Sequence, residues 1–125
     1  MIQILVVEDE VIVGIALRED LQDVGALAIV SHDAESALHE LDRAAFDAAI
    51  IDVGLPGMRG DELARACRLK FPKMSIVLAT GMNEREIRFR LEVDPMCIAI
   101  EKPHDFQQLL ACLARLGIQL PQTDV

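Results

Sequence analysis

Five short apolar runs, separated by segments of helical period, constrain the fold of this chain, and four of them stop at a side chain with chemistry to offer. Ile4-Leu5-Val6-Val7 stops at Glu8-Asp9, Ala48-Ala49-Ile50-Ile51 at Asp52, Ile76-Val77-Leu78-Ala79 at Thr80, and Ile98-Ala99-Ile100 at Glu101-Lys102. The stop at Asp52 is the sharpest, because the loop Gly54-Leu55-Pro56-Gly57-Met58 follows almost at once. An isolated carboxylate buried in a core is costly, so Asp52 belongs at the end of its run and not inside it.

Taken in order, Ile2 to Val7 reads as a first strand buried on both faces. Glu10 to Val24 reads as a helix, with Ile12, Ile15 and Ala16 on one row and Val13, Leu17, Leu21 and Val24 on another, stopped by Gly25. Leu27 to Val30 is the second strand. Asp33 caps a helix to Arg43 that carries Ala34, Ala37, Leu38 and Leu41 at helical spacing. Ala48 to Ile51 is the third strand, and a helix over Asp61 to Lys70 turns Leu63, Ala66 and Cys67 to one side. Ser75 to Ala79 is the fourth strand.

The segment Asn83 to Val93 carries two signals. Ile87, Phe89, Leu91 and Val93 alternate as in a strand, yet two buried strands in succession would break the plan, so the segment is read as a helix. Met96 to Ile100 is the fifth strand. Asp105 to Leu116 is the last helix, with Phe106, Leu109, Leu110 and Leu113 as its apolar stripe. Residues 1–117 are expected to form one domain and residues 118–125 a frayed tail. Strand and helix alternating five times predicts an α/β fold: a doubly wound parallel sheet in the flavodoxin-like order 2-1-3-4-5, with helices on both faces. In that order the ends carrying Glu8-Asp9, Asp52, Thr80 and Lys102 converge on one rim, while Ser31-His32, at the end of the second strand, has no evident task.

Composition narrows the function. With 21 acidic and 12 basic residues the net charge is −9, which opposes direct binding to a phosphate backbone. Cys67, Cys97 and Cys112 are odd in number and lack Cys-x-x-Cys spacing, so neither a disulfide framework nor a zinc site is expected, and reduced thiols in a cytoplasmic protein are. No apolar run approaches the ~20 residues of a membrane span, and the N-terminus lacks the basic start of a signal peptide.

Carboxylates gathered at one rim repel one another, and a hard divalent cation relieves that repulsion. Oxygen ligands with room for waters favour Mg²⁺. The expected ligands are Asp9, Asp52 and one loop carbonyl, that of Gly54, with Glu8 acting through water. An aspartate beside Mg²⁺ and a lysine can attack a phosphoryl group. Such transfer needs mainly positioning and charge neutralisation, which Lys102 supplies, with the Thr80 hydroxyl bonding a phosphoryl oxygen.

These residues give the chain its resemblance to the response-regulator receiver domains of two-component signalling, the CheY-like phosphoacceptors. The resemblance runs from Ile2 to about Leu116. Its carriers are Leu5-Val6-Val7-Glu8-Asp9-Glu10, Asp52 with Leu55-Pro56-Gly57-Met58 and Gly60, Ala79-Thr80-Gly81, and Lys102-Pro103. It implies that Asp52 accepts a phosphoryl group from a histidine kinase or phosphotransfer protein. Glu8 and Asp9 would form the acidic pocket, Thr80 would be the switch hydroxyl, and Lys102, often before a cis proline in this family, would contact the phosphoryl group. It also implies output to a downstream protein through the face of the fourth helix, fifth strand and last helix, and leaves a homodimer open.

Three departures matter. Ala99 stands where the family usually carries its switch aromatic, so no ring can rotate there, and Met82, Phe89 or Phe106 is expected to fill the space. Val93-Asp94-Pro95-Met96 replaces the usual small-residue and glycine turn. Gly54 and Met82, two residues beyond Asp52 and Thr80, cannot orient a hydrolytic water, which implies slow autodephosphorylation.

Each motif has a plainer reading when taken alone. Glu8-Asp9-Glu10 also suits an acidic helix start, Thr80 an ordinary strand end, Lys102 a solvated charge, and His32, His39 and His104 surface residues. Two rival functions follow. A haloacid-dehalogenase-type phosphatase would need Asp-x-Asp on the first strand, where Glu-Asp-Glu stands. A degenerate receiver, binding partners without phosphate, would be expected to have lost one of the acidic, threonine or lysine positions. The expected role is therefore a self-phosphorylating switch and not an enzyme acting on a separate metabolite. No effector domain is evident in the 125 residues, so output is expected through protein contact unless the chain is part of a longer one.

Overall fold

Branched apolar strands need cover on both faces, and helices crossing between parallel strands supply it. The computed structural model describes residues 1–81 and 94–121. In it a five-stranded sheet runs in the order β2-β1-β3-β4-β5, as the alternation predicts. The strands are β1 (Gln3–Val7), β2 (Leu27–Ser31), β3 (Ala48–Asp52), β4 (Ser75–Thr80) and β5 (Cys97–Glu101), and every pairing is parallel. The described helices are α1 (Val11–Asp23), α2 (Ala34–Arg43), α3 (Gly60–Lys70) and α4 (Phe106–Arg115). The helix expected over 83–93 lies outside the described residues.

Alternate residues of the central strands feed two cores. Leu5, Val7, Ile51, Ile76 and Leu78 pack with Ala37 and Leu41 of α2 and Leu63 and Cys67 of α3. Ile4, Val6, Ile50 and Val77 pack with Leu21 of α1 and Leu109 and Leu113 of α4. Each such Ile or Leu stabilises the fold by about 2 kcal/mol. All of β3 and β4 is buried, so the ends of these strands cannot slip in register without exposing core. Helix starts follow their caps: Asp33 accepts from the Ser36 amide at 2.7 Å, and Asp105 and Gln108 form a reciprocal capping box.

Four details differ from expectation. The first turns of α1 do not bury their apolar residues: Val11, Ile12, Val13 and Ile15 are exposed, Ile12 at 83%. Gly14 is the residue that faces inward, where a Cβ would stand 2.9 Å from Val30 Cγ1. On α3 the buried alanine is Ala64, with Ala66 only half-buried. The start of the expected tail is packed, with Leu120 buried in the second core and Ile118 against it. Finally, Ala99 packs against the α2/α3 core and Phe106 against the opposite one. The sheet separates them, so Phe106 does not fill the space beside Ala99. Met82 and Phe89 lie outside the described residues.

The unusual turn before β5 is held by charge. Arg68 of α3 donates to Asp94 at 2.8 Å and to the carbonyls of Phe71 and Met74 at 2.9 and 2.7 Å. Asp94 in turn accepts from the Met96 amide at 3.0 Å. This hub ties the end of α3 to the start of β5 and explains an aspartate where small residues would serve a bare turn.

Candidate functional site

The carboxyl ends of β1, β3, β4 and β5 meet, and each delivers one of the side chains singled out in the sequence. Asp52 is the last residue of β3, and Thr80 the last of β4. The ladder continues past both: the Val53 amide donates to the Ala79 carbonyl at 3.0 Å, and the Lys102 amide donates to the Thr80 carbonyl at 2.8 Å. These bonds fix where Asp52, Thr80 and Lys102 leave the sheet. The Lys102-Pro103 bond is cis, as the resemblance implied.

Lys102 reaches back across the rim. Its Nζ lies 3.1 Å from Asp52 Oδ1 and 3.9 Å from Glu8 Oε1. Asp52 Oδ1 also accepts from the Gly54 amide at 3.1 Å. Asp52 and Glu8 are nearly buried, at 9% and 7% exposure, and Thr80 is fully so. Asp9 is exposed and sits at the mouth.

Glu8, Asp9 and Asp52 each offer an oxygen, and the three oxygens lie within 4.8 Å of one another. That donor set, all hard oxygen and open to solvent on the Asp9 side, fits a Mg²⁺ that keeps several of its waters. The crowding is felt by Glu8. Burial first, and then its hydrogen bond to and repulsion from Asp52, push its pKa from an ordinary 4.5 up to about 7, against opposing pulls from the Glu10 amide and Lys102.

Two local features went unread in the sequence. The carboxylate serving the start of α1 is that of Glu8, whose Oε2 accepts from the Glu10 amide at 3.3 Å; Glu10 itself makes no side-chain cap. His32 is the second: its Nδ1 lies 2.9 Å from the Glu8 carbonyl oxygen. The signal was present, since the order 2-1-3-4-5 places the end of the second strand beside that of the first. His39 and His104 stay apart from the rim: His39 is exposed on α2, and the His104 ring contacts the Asp105 carbonyl at 3.4 Å.

Comparison with known proteins identifies the fold and family of the chain. The sequence model of the response regulator receiver domain matches residues 4–114. The response regulator FleR of Pseudomonas aeruginosa is 33% identical over 127 residues, covering 98% of this chain and 26% of FleR. The two-component response regulator PhoP of the same organism is 32% identical, covering 91% of this chain and 51% of PhoP. The chain thus spans between a quarter and a half of these relatives. Among solved structures, the chemotaxis protein CheY4 of Vibrio cholerae matches with a TM-score of 0.86 at 27% identity, over 93% of this chain and 98% of that one. The response regulator TrrA of Thermotoga maritima, in complex with Mg²⁺ and BeF, matches with a TM-score of 0.82 at 28% identity, over 93% and 99%.

Proposed function

The chain belongs to the response regulator receiver domain family, and from that premise we propose that it is a Mg²⁺-dependent phosphoacceptor switch whose acceptor is Asp52. The observation that carries this reading is the contact of Lys102 Nζ with Asp52 Oδ1 at 3.1 Å beside two further carboxylates. The lysine neutralises charge at the acceptor, and the open side lets a phosphorylated partner approach.

An Asp52 oxygen attacks phosphorus of a phosphohistidine on a kinase or phosphotransfer protein. The P–N bond breaks, and its electron pair leaves with the imidazole, which takes up a proton. Glu8, Asp9, Asp52 and the Gly54 carbonyl would hold Mg²⁺, which when bound supplies positive charge against the carboxylates and the incoming phosphoryl oxygens. Lys102 stabilises charge on the phosphoryl group as the bond to Asp52 forms. Thr80, at the neighbouring strand end, bonds the phosphoryl oxygen once it has arrived. The exposed Val11, Ile12 and Val13 beside the pocket offer apolar surface for the donor protein. Output to a downstream protein is assigned to the face around β5 and α4.

The protein changes itself and not a separate metabolite. Every acidic, threonine and lysine position is filled, which leaves the phosphorylation-independent binding module without support. Among the described residues no helix is long and apolar enough to cross a membrane. The three cysteines are free, in keeping with a cytoplasmic setting. With acetyl phosphate or a phosphorylated histidine donor, Lys102→Ala is expected to take up phosphate about 100-fold more slowly than wild type, the loss typical of one electrostatic stabiliser. Quenched time courses read this directly; a rate within threefold of wild type would remove Lys102 from the reaction.

A further inference from the structure

We infer that His32 is a positioning residue for the acidic pocket, a role that rests on the phosphoacceptor reading above. The β1·β2 ladder formally ends at Val7 and Ser31. It is nonetheless continued by one residue on the β1 side: the Glu8 amide donates to the Ser31 carbonyl at 2.9 Å, and the His32 ring closes the other half at 2.9 Å from the Glu8 carbonyl. A carbonyl only accepts, so the His32 Nδ1 carries the proton in this contact. Both peptide groups of Glu8 are therefore pinned from the end of β2.

The second of these bonds acts on Asp9. The Glu8 carbonyl lies in the same planar unit as the Asp9 nitrogen and Cα. Holding that oxygen fixes the plane, and with it the position of the Asp9 Cα from which the side chain projects. Asp9 is the exposed member of the carboxylate set and follows the last strand residue, Val7, by two positions. His32 thus contributes no ligand; it orients the peptide from which one ligand projects.

The test compares His32→Leu, which removes the donor, with His32→Asn, whose side-chain amide reaches the same position as Nδ1. In metal-free protein, hydrogen exchange of the Glu8 amide, whose own bond to the Ser31 carbonyl closes the same strand end, is expected to rise about fivefold in His32→Leu, because the neighbouring His32 contact that holds this end shut is gone, at the worth of one ordinary hydrogen bond. Calorimetric titration with MgCl₂ is expected to show affinity falling by about the same factor. Phosphorylation by acetyl phosphate at saturating Mg²⁺ is expected to keep the wild-type rate in both variants. His32→Asn should restore exchange and affinity to within about twofold of wild type. Mg²⁺ affinity in His32→Leu equal to wild type, a defect that persists at saturating Mg²⁺, or failure of His32→Asn to restore would each overturn the assignment. Wild-type protein that takes neither Mg²⁺ nor phosphate would overturn the underlying reading instead.

Discussion

Gly60→Ala is expected to destabilise the protein by about 3 kcal/mol or more, because the first residue of α3 lies directly on the backbone of the acceptor strand. A Cβ there would stand 2.1 Å from the Asp52 carbonyl oxygen and 2.7 Å from Val53 Cα. Both are main-chain atoms, so no rotamer change relieves the clash. The Gly60 amide also donates to the Val53 carbonyl at 3.0 Å, which fastens α3 to the loop it would have to leave. Urea unfolding followed by far-ultraviolet circular dichroism should show the midpoint falling by roughly 1–2 M at ordinary denaturant sensitivity. Gly57→Ala supplies the contrast. Its φ is +73°, but nothing lies within 4 Å of a Cβ. Only the left-handed backbone is penalised, by about 1 kcal/mol. Equal losses at the two positions would mean that backbone conformation, and not the approach of α3 to Asp52, sets the requirement for glycine.

Raising the pH is expected to weaken the metal-free protein. Glu8 is an acid whose folded pKa, about 7, lies above its ordinary 4.5. Below pH 4.5 it is protonated in both states, and its contribution to stability is intact. Between 4.5 and 7 the unfolded chain releases the proton while the folded chain holds it, so stability falls, levelling off above 7 when both are ionised. Glu8→Gln should flatten this decline and be the more stable protein at pH 8. Mg²⁺ should flatten it as well, since a cation offsets the cost of the ionised form. Chemical unfolding in a chelator from pH 4.5 to 8, with and without excess Mg²⁺, measures both. A wild-type profile parallel to that of Glu8→Gln would mean that Glu8 ionises as freely in the folded chain as in the unfolded one.

The sheet order and the convergence of Glu8, Asp9, Asp52, Thr80 and Lys102 were legible because four of the five strands end at, or just before, a chemically distinctive side chain. Once the order is known, the rim follows. Less legible was which side of α1 faces inward. Its first five residues, Val11-Ile12-Val13-Gly14-Ile15, are nearly all apolar, so their pattern singles out no face. The decision lies with Gly14, whose missing side chain lets the helix approach Val30. The ends Ile118 and Leu120 were misread for a related reason, since two apolar residues after a helix stop form no period. His32 escaped because its partner is a main-chain oxygen, to which no residue type in the sequence corresponds. Ala99 and Phe106 could have been separated in advance: Ile98 and Ile100 flank Ala99 on β5 and must point the other way.

Intact-mass spectrometry of wild type and Asp52→Asn, after incubation with MgCl₂ and acetyl phosphate, tests the central claim most directly. A gain of one phosphoryl group by wild type, absent when Mg²⁺ is chelated before the donor is added and absent from Asp52→Asn, is the predicted result. Equal phosphorylation of Asp52→Asn, or no gain by wild type even from a phosphorylated histidine kinase, would contradict the assignment of Asp52 as the acceptor.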